Sequence, residues 1–369
     1  MNPRLTTVEA MKLAITEAYK GQYFVSPNPL VGCVVLHREG YVLKVGHHQK
    51  YGGPHAEVNA LTGLEHDQIV GAHVIVTLEP CAHHGKTPPC AEMLARLPIA
   101  KLTFGVLDPN PLVSGKGAEI VRKAGIEVSH FSQDFPQEAG VIAELEEVCE
   151  AFLWNFRKKK VWVCQKSAVT LDGMMATKSG ESKWITGMPA REYGHHLRAS
   201  FDAIVVGAGT VVIDNPSLNI RLPHVEKKNR VVILDRQGHL NISGTHLAQS
   251  HQPEKILVLS PQTQASQVGE HRETVKEWTA EAVLEVLYGH SIRSVLLEGG
   301  ARTQAWFWQT GWVNRLHLMM APKILGLQNG QHWTNSLGRP DLKSATQLTQ
   351  TKVQKLGDDI HLTGLVRSL

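Results

Sequence analysis

Cysteine is scarce in this chain, and its scarcity limits the class of protein. The 369 residues include five cysteines, Cys33, Cys81, Cys90, Cys149 and Cys164. An odd, sparse set does not make the disulfide framework of a secreted domain, so a reducing compartment, the cytoplasm, is expected. The thiols are then available for other chemistry.

Long apolar runs and a strong charge bias are also missing. No uninterrupted apolar run reaches the roughly 18 residues of a membrane helix. The N-terminal stretch is interrupted by Glu9, Lys12, Glu17 and Lys20, unlike a signal peptide. Lys and Arg total 38 against 34 for Asp and Glu. We therefore expect no membrane association, and the near-neutral balance argues against a dedicated nucleic-acid binder.

The chain has no Gly/Ser-rich or Pro-rich tether, although its length predicts more than one domain. A helical pattern that continues to about 153 is followed by the basic run 157–160 and then by a strand pattern. We place the boundary near 150–160 and predict domains at 1–150 and 151–369. Buried-strand patterns alternate with helical patterns in both, so the predicted fold class is α/β.

Several local signals predict individual elements. Residues 6–9 are predicted to form a capping box that starts a helix. Residues 30–36 are predicted to form a buried strand, and residues 41–46 its hairpin partner. Residues 74–78 read as a buried strand, and Cys90 as the start of a helix. In the second half Thr186 is expected to cap a helix, and 230–235 and 255–260 are predicted strands.

Four residues of the first half have the chemistry of a zinc site that activates water. They are His55, Glu57, Cys81 and Cys90. One imidazole and two thiolates can bind zinc and leave a fourth tetrahedral position open. A glutamate two residues after the histidine can move protons without binding the metal. Two alternatives remain: a structural zinc with His83 or His84 as fourth ligand, and buried thiols without metal.

The first half resembles the cytidine-deaminase superfamily, and closely the deaminase half of the RibD family of riboflavin-biosynthesis enzymes. The residues that carry the resemblance are Ser-Pro-Asn-Pro-x-Val-Gly at 26–32, the segment 79–90, and Asp-Pro-Asn-Pro at 108–111 with Gly-Lys-Gly at 115–117. Superfamily members usually have two residues between their cysteines. The eight between Cys81 and Cys90 are typical of the RibD branch.

The resemblance implies roles for individual residues of this half. It implies that His55, Cys81 and Cys90 bind zinc and that Glu57 is the proton donor and acceptor. It also implies a substrate site for the deaminase lined by Asn28, His83, Lys86, Asp108 and Asn110. A lysine suits a phosphate as counter-charge, and amides can read the edges of a pyrimidine.

The second half contains Gly207-x-Gly209, which only partly matches a dinucleotide fingerprint because Val212 replaces the last glycine. It also contains motifs at 170–173, 180–186, 197–199, 207–211, 214–218 and 298–300. Together these resemble the reductase domain of the same family, which is similar in fold to dihydrofolate reductase.

This second resemblance implies a cofactor site and a substrate site. NADPH contacts are implied at Ala168, Trp184, Thr210, Asp214, Gly300, Ala301, Arg302 and Thr303. Substrate contacts are implied at Lys166, Ser182, Arg198, Leu218, Arg221 and Glu298. The two arginines suit a phosphate. The ionisable candidates for the acid of the reduction are Lys166, Asp214 and Glu298, and the sequence does not choose among them.

The resemblance implies a bifunctional enzyme that binds Zn²⁺ and NADPH. It would deaminate 2,5-diamino-6-(5-phosphoribosylamino)pyrimidin-4(3H)-one and then reduce the ribosyl group of 5-amino-6-(5-phosphoribosylamino)uracil to ribityl. The expected partners are small phosphorylated pyrimidines and further copies of the chain, with no nucleic acid and no membrane. The rival hypotheses are a nucleic-acid-editing deaminase and a non-catalytic module stabilised by metal.

Overall fold

The computed structural model describes residues 3–83, 88–110, 114–262, 270–326, 328, 330–334, 338 and 341–367. The chain divides into two compact units, Met1–Lys159 and Lys160–Leu369. No helix within the described ranges has the length and apolarity needed to cross a lipid bilayer.

The first unit is an α/β domain around a mixed sheet. Its strands are β1 Gly32–Leu36, β2 Val42–His47, β3 His73–Leu78, β4 Lys101–Val106 and β5 Glu127–His130. Its helices are α1 Thr7–Tyr19, α2 Ala56–Leu61, α3 His66–Ile69, α4 Cys90–Leu94, α5 Lys116–Lys123, α6 Phe131–Asp134, α7 Ala139–Val148 and α8 Glu150–Lys158. Among the described residues the strand order is β2-β1-β3-β4-β5. β1 is antiparallel to β2 and β3, whereas β3, β4 and β5 run parallel.

Helices cover both faces of this sheet, which explains why β1, β3 and β4 are almost continuously apolar. Side chains alternate along each strand, so Ile75 packs with α1 and α7 while Val74 and Val76 pack with α2, α4 and α5. Leu153 of α8 joins the first of these cores. The predicted capping box at Thr6 and the predicted hairpin of β1 with β2 are both confirmed.

The second unit is built on a larger sheet. Its strands are β6 Trp162–Thr170, β7 Met174–Thr177, β8 Ala203–Gly207, β9 Arg230–Leu234, β10 Ile256–Ser260, β11 His271–Thr274, β12 Ser294–Leu297, β13 Arg315–Ala321, β14 Gly330–His332, β15 Leu348–Leu356 and β16 Asp359–Val366. Its helices are α9 Met188–Ser200, α10 Ala208–Asp214, α11 His246–Ser250, α12 Ala280–Gly289 and α13 Ala301–Gln309.

Within the described part of this unit, nine strands form one sheet in the order β11-β10-β9-β8-β12-β6-β13-β16-β15. The strands from β11 to β13 are parallel, and β13, β16 and β15 are antiparallel. Helices α12 and α13 pack on one face, and α10 and α11 on the other. The parallel part brings the carboxyl ends of β8, β12 and β6 to one edge, where ligands bind in open α/β sheets.

One local prediction is wrong, and one region gains a structure that the sequence did not indicate. Thr186 does not cap α9, because the helix begins later with Gly187 as its N-cap. The backbone N–H of Gly187 donates to the carboxylate of Asp359, 2.7 Å away, so the chain is fixed there by a residue from β16. Strand β11 and helix α12 lie in the region 225–290, where the sequence contained little that was recognisable.

Candidate active site

His55, Cys81 and Cys90 come together at one point of the first unit. Nδ1 of His55 lies 3.5 Å from Sγ of Cys81 and 3.3 Å from Sγ of Cys90. The three ligand atoms lie within 4.8 Å of one another. One nitrogen and two sulfurs in this arrangement match the donor set of a zinc site with three protein ligands. The residues therefore fit the metal that the sequence predicted.

Backbone geometry explains why these three residues converge. His55 is the N-cap of α2, Cys81 follows the end of β3, and Cys90 is the first residue of α4. α2 and α4 pack on the same face of the sheet. The backbone N–H of Cys90 donates to Sγ of Cys81 at 3.3 Å, which orients that sulfur.

Electrostatics in this cluster favour a thiolate. Hydrogen bonding from the Cys90 side chain, aided by His55, lowers the pKa of Cys81 to about 4. The neighbouring Cys81 sulfur and burial raise the pKa of Cys90. A metal cation would stabilise both as thiolates, since metal binding is coupled to ligand deprotonation.

Glu57 lies in the first turn of α2, two residues after His55, and is buried. Burial, with a contribution from the negative charge on Cys81, raises the pKa of Glu57 to about 7. A carboxyl group with this pKa can both accept and release a proton near neutral pH, as a general acid–base requires.

Asn28 is oriented by His48, a residue that the sequence analysis did not single out. The side-chain amide of Asn28 donates to Nε2 of His48 (3.0 Å), and Nδ1 of His48 donates to the carbonyl of Pro54 (2.9 Å). Burial lowers the pKa of His48, in keeping with a neutral ring. The ring of His48 also lies edge-on to that of His55, 5.5 Å between centroids. His48 thus connects Asn28 to the metal cluster.

Asp108 and Asn110 follow the end of β4, beside the end of β3 that leads to Cys81. Asp108 is buried, burial raises its pKa, and its carboxylate accepts from the backbone N–H of Asn110 at 2.8 Å. His83 lies two residues beyond Cys81 and is exposed. Lys86 and His84 lie outside the described residues.

Glu79, part of the Glu-Pro-Cys motif, holds the backbone around this site. Its carboxylate accepts from the backbone N–H groups of Asp108 (3.3 Å), Gly115 (3.0 Å) and Ala118 (3.1 Å). It is buried and unavailable to a ligand. Glu79 therefore fixes both ends of the loop between β4 and α5.

Gly117 is needed because α5 approaches the metal loop very closely. A Cβ at this position would lie 1.9 Å from the carbonyl oxygen of Pro80, the residue before Cys81. Only glycine lets the helix start here without moving the ligand. This contact explains the second glycine of the Gly-Lys-Gly motif at 115–117.

In the second unit, the strongest polar contact of the expected substrate site joins Arg198 and Glu298. Arg198 of α9 donates through Nε to Oε1 of Glu298 (2.7 Å) and through Nη2 to Oε2 (2.9 Å). Burial alone raises the pKa of Glu298, but the charge and hydrogen bonds of Arg198 outweigh it and lower this pKa to about 2. Burial lowers the pKa of nearby Lys166 on β6. Glu298 is thus a fixed anion, and the fork of Arg198 is already occupied.

The residues expected to contact the cofactor meet at the ends of β8 and β12. The backbone N–H of Gly300 donates to Oγ1 of Thr210 (3.1 Å), and a Cβ on Gly207 would lie 2.4 Å from Oγ1 of Thr303. Gly299 has φ +130°, which a side chain would disfavour. The two strand-to-helix turns therefore touch, as their positions on neighbouring parallel strands require.

The other expected residues differ in their local contacts and exposure. Ser182 donates to Asp214 at 3.4 Å. Trp184 is 64% exposed, and the guanidinium of Arg191 lies 4.0 Å from its ring centroid. Leu218 is buried with φ +49°. The remaining expected residues are Ala168 on β6, Ala301 at the start of α13, and the exposed Arg221 and Arg302.

Sequence reasoning missed two residues that organise this region. His195 of α9 is buried, and its Nδ1 accepts from the backbone N–H of Arg221 at 3.3 Å. Gln304 is buried and donates to the carbonyls of Lys166 (3.2 Å) and Gly299 (3.0 Å), so it joins β6 to the glycine turn. Neither belongs to a motif, and a buried polar side chain cannot be distinguished from an exposed one by residue type alone.

Comparison with known families agrees with both halves of the structure. Residues 6–106 match the family model of the cytidine and deoxycytidylate deaminase zinc-binding region, and residues 161–362 match that of the RibD C-terminal domain. The class is therefore a zinc-binding deaminase region joined in one chain to a RibD C-terminal domain.

Full-length relatives make the family plain. The riboflavin biosynthesis protein RibD of Aquifex aeolicus is 36% identical over 356 residues, 95% of this chain and 96% of the relative. Acinetobacter baumannii RibD has a similar structure, with TM-score 0.84 and 34% identity over 98% of this chain and 99% of that one. A deaminase/reductase structure from Thermotoga maritima gives TM-score 0.85 and 33% identity with the same coverage. The chain belongs to the RibD family.

Proposed function

We propose that this chain catalyses two successive steps of riboflavin biosynthesis. The first unit would hydrolytically deaminate 2,5-diamino-6-(5-phosphoribosylamino)pyrimidin-4(3H)-one. The second would reduce the ribosyl group of 5-amino-6-(5-phosphoribosylamino)uracil to ribityl with NADPH. The observation that carries the proposal is the His55–Cys81–Cys90 cluster beside the buried Glu57, in a chain of the RibD family. The Thermotoga maritima relative is described as the deaminase and reductase of these compounds.

In the deamination, Glu57 moves the proton. Zinc, held by Nδ1 of His55 and the thiolates of Cys81 and Cys90, would supply the Lewis acidity that makes water a nucleophile at neutral pH. Glu57 takes a proton from the attacking water and passes it to the ring nitrogen next to the carbon under attack. The second proton of that water then passes through Glu57 to the exocyclic amine, and the bond from carbon to this amine breaks. Ammonia leaves, a carbonyl remains, and Glu57 returns to its initial protonation state. Its pKa of about 7 suits both transfers.

Substrate recognition in the first unit would come from the groups around this cluster. The Asn28 amide, held by His48, is directed to one edge of the pyrimidine. On the family resemblance, Asp108, Asn110 and His83 would also contact the substrate, and Lys86 would provide the counter-charge for the phosphate. This set recognises a small phosphorylated heterocycle.

In the reduction, Lys166 is the best candidate for the proton donor. NADPH supplies the hydride for C1 of the sugar, and the ring oxygen needs a proton as the C1–O bond breaks. Glu298 stays ionised and paired with Arg198, so it orients rather than donates. Lys166 has a lowered pKa because it is buried, and a weaker base gives up its proton more readily.

The cofactor would bind at the edge formed by β8 and β12. Thr210 and Thr303 carry hydroxyl groups there, and α13 starts at this point, where a helix N-terminus favours anions. Trp184 is an exposed aromatic residue, and we assign it to the cofactor on the family resemblance. NADPH is expected to be preferred over NADH.

The decisive experiment compares wild-type protein with the variant Glu57→Gln. Purified protein is incubated with the diaminopyrimidinone phosphate, with and without NADPH, and the products are identified by mass. Deamination by the variant should fall about 10²- to 10⁴-fold, the range for a general acid–base, with zinc content unchanged. Supplied with the deaminated compound, the variant should still reduce it. Retained deamination would contradict the role of Glu57.

The variant Lys166→Met tests the second site. We expect its reductase kcat to fall about 10²-fold or more, because proton transfer is lost. Deamination should not change, and NADPH binding, measured by fluorescence titration, should stay within a few-fold. An unchanged kcat would show that Lys166 is not the proton donor and would leave Asp214 as the candidate.

We also propose that the protein acts in the cytoplasm as a homo-oligomer. A reducing compartment keeps Cys81 and Cys90 available as zinc ligands. β15 is an edge strand of the large sheet and carries Val353, 66% exposed, so it offers a pairing surface to a second copy. Light scattering should give a multiple of 40.7 kDa. Val353→Lys should shift the protein towards monomer, and a wild-type monomer would contradict the proposal.

A further inference from the structure

We propose that His271, Glu273 and His290 of the second unit form another site for a divalent transition metal. The cluster lies at the edge of the nine-stranded sheet, on β11 and just beyond the end of α12. The three side chains offer two imidazole nitrogens and one carboxylate oxygen, all within 4.8 Å of one another.

The side-chain geometry already brings the donors together. Nε2 of His290 contacts Oε2 of Glu273. The rings of His271 and His290 are 6.1 Å apart at 71°, so the two nitrogen ligands approach one point from different directions. Ligand atoms bound to one metal ion at about 2.0–2.2 Å lie within about 4.4 Å of one another, close to the spacing of these three atoms.

The backbone explains why these residues share a face. Residues at alternate positions of a strand point the same way, so His271 and Glu273 project together and Arg272 projects to the other side. There Arg272 is buried and pairs with Glu270 and Asp235. The buried pairing fixes the orientation of β11, and with it the direction of the two ligands.

The backbone of His290 is fixed by a hydrogen bond. It is the C-cap of α12, and its carbonyl oxygen accepts from Nη1 of Arg230 at 2.5 Å. The positive charge of Arg230 is therefore directed at a backbone oxygen. The imidazole of His290 is directed towards Glu273 and lies beside the ring of His271.

The surroundings leave room for further ligands. The side chains of His290 and Glu273 are 35% and 36% exposed. A cavity of about 350 Å³ begins at His271 and His290 and is also lined by Arg230 and Lys255. Water or a small anion could complete the coordination from this side. Two imidazoles with one carboxylate bind Zn²⁺, Ni²⁺ or Cu²⁺ in preference to Mg²⁺ or Ca²⁺.

A simple ion pair between His290 and Glu273 is the competing explanation, and it does not use His271. The metal site requires all three residues. It also differs chemically from the cluster of the first unit, because it contains no sulfur. These two differences make the proposal testable in the intact protein.

The test measures the metal content of the full chain after equilibration in a zinc buffer and gel filtration. We expect two zinc ions per chain for the wild type and one for His271→Ala/His290→Ala. The control His66→Ala/His239→Ala, which removes two exposed histidines elsewhere, should keep two. Glu273→Gln, which preserves the shape of the side chain, should weaken the second ion without changing unfolding by urea.

Cobalt titration distinguishes the two sites directly. The first equivalent should show the intense thiolate-to-cobalt absorption of the Cys81–Cys90 site, and the second only weak d–d bands. The second set of bands should disappear in His271→Ala/His290→Ala while the first remains. A single equivalent in the wild type, or a second equivalent that survives in this variant, would overturn the proposal.

Discussion

Replacing Glu298 by glutamine should destabilise the second unit by a few kcal/mol. The pKa of this carboxyl group falls from an ordinary value of 4.5 to about 2 in the folded protein, because Arg198 outweighs the effect of burial. At about 1.4 kcal/mol for each pKa unit, the difference of about 2.5 corresponds to about 3 kcal/mol. The side chain is only 10% exposed, so solvent screening removes little of this. Removing one partner of a buried ion pair typically costs about 3–5 kcal/mol, in agreement with the value obtained from the pKa difference.

The sign of the pH dependence follows from the same values. A carboxyl group whose pKa is lower in the folded state contributes its full stability above the unfolded value of 4.5. This contribution is lost as the pH falls from 4.5 towards 2. Wild type and Glu298→Gln should therefore differ most at neutral pH and converge in acid.

Tryptophan fluorescence offers a suitable assay. The chain has eight tryptophans, and all except Trp154 follow Lys160, so seven report on the second unit. Urea unfolding should be measured for Glu298→Gln, Arg198→Met and the double variant. Because each single variant leaves an unpaired buried group, the double should be less destabilised than the sum of the singles. Additive effects, or a loss below about 1 kcal/mol in Glu298→Gln, would refute the reasoning.

Two further predictions concern the first unit. Gly117→Ala should push the carbonyl of Pro80 away and displace Cys81, the residue that follows it. Deaminase kcat/KM should fall about 100-fold, and zinc should be lost on dialysis. The control is Gly140→Ala, whose Cβ would meet no atom within 4 Å, and equal activity of the two variants would contradict the steric argument. His48→Phe should raise the substrate KM about 5-fold, the value of one hydrogen bond to Asn28, with zinc retained. An unchanged KM would show that Asn28 needs no support from His48.

The metal cluster was predictable because each ligand stands at an element boundary that the sequence marks. His55 follows a Gly-Gly-Pro turn, Cys81 follows an apolar strand, and Cys90 follows two prolines. In an open α/β sheet the carboxyl ends of parallel strands and the helix starts that follow them gather at one edge. Cys81 after β3, and His55 and Cys90 at the starts of α2 and α4, therefore approach each other. For these three residues, the local sequence pattern was enough to predict their position in the folded domain.

In the second unit, the side-chain pairs and strands that depend on residues far apart in the sequence could not be predicted. Arg198 and Glu298 are 100 residues apart, and nothing in either motif indicates that one neutralises the other. β11 has four residues, and the second, Arg272, is a buried charge, so the sequence of this strand resembles a polar loop. Whether such a short polar segment forms a strand depends on the strand and the charged residues that it pairs with, and a single sequence does not reveal these partners.

Glu79 has a consequence for how substrate preference can change in this fold. Its carboxylate holds the backbone at Asp108 and again at Gly115, so the residues between are attached to the domain at both ends. These two hydrogen bonds hold the described residues on either side of the segment independently of its sequence. Because Asn110 belongs to the proposed substrate site, we expect changes in sequence beside it to alter what the deaminase accepts without disturbing the metal cluster.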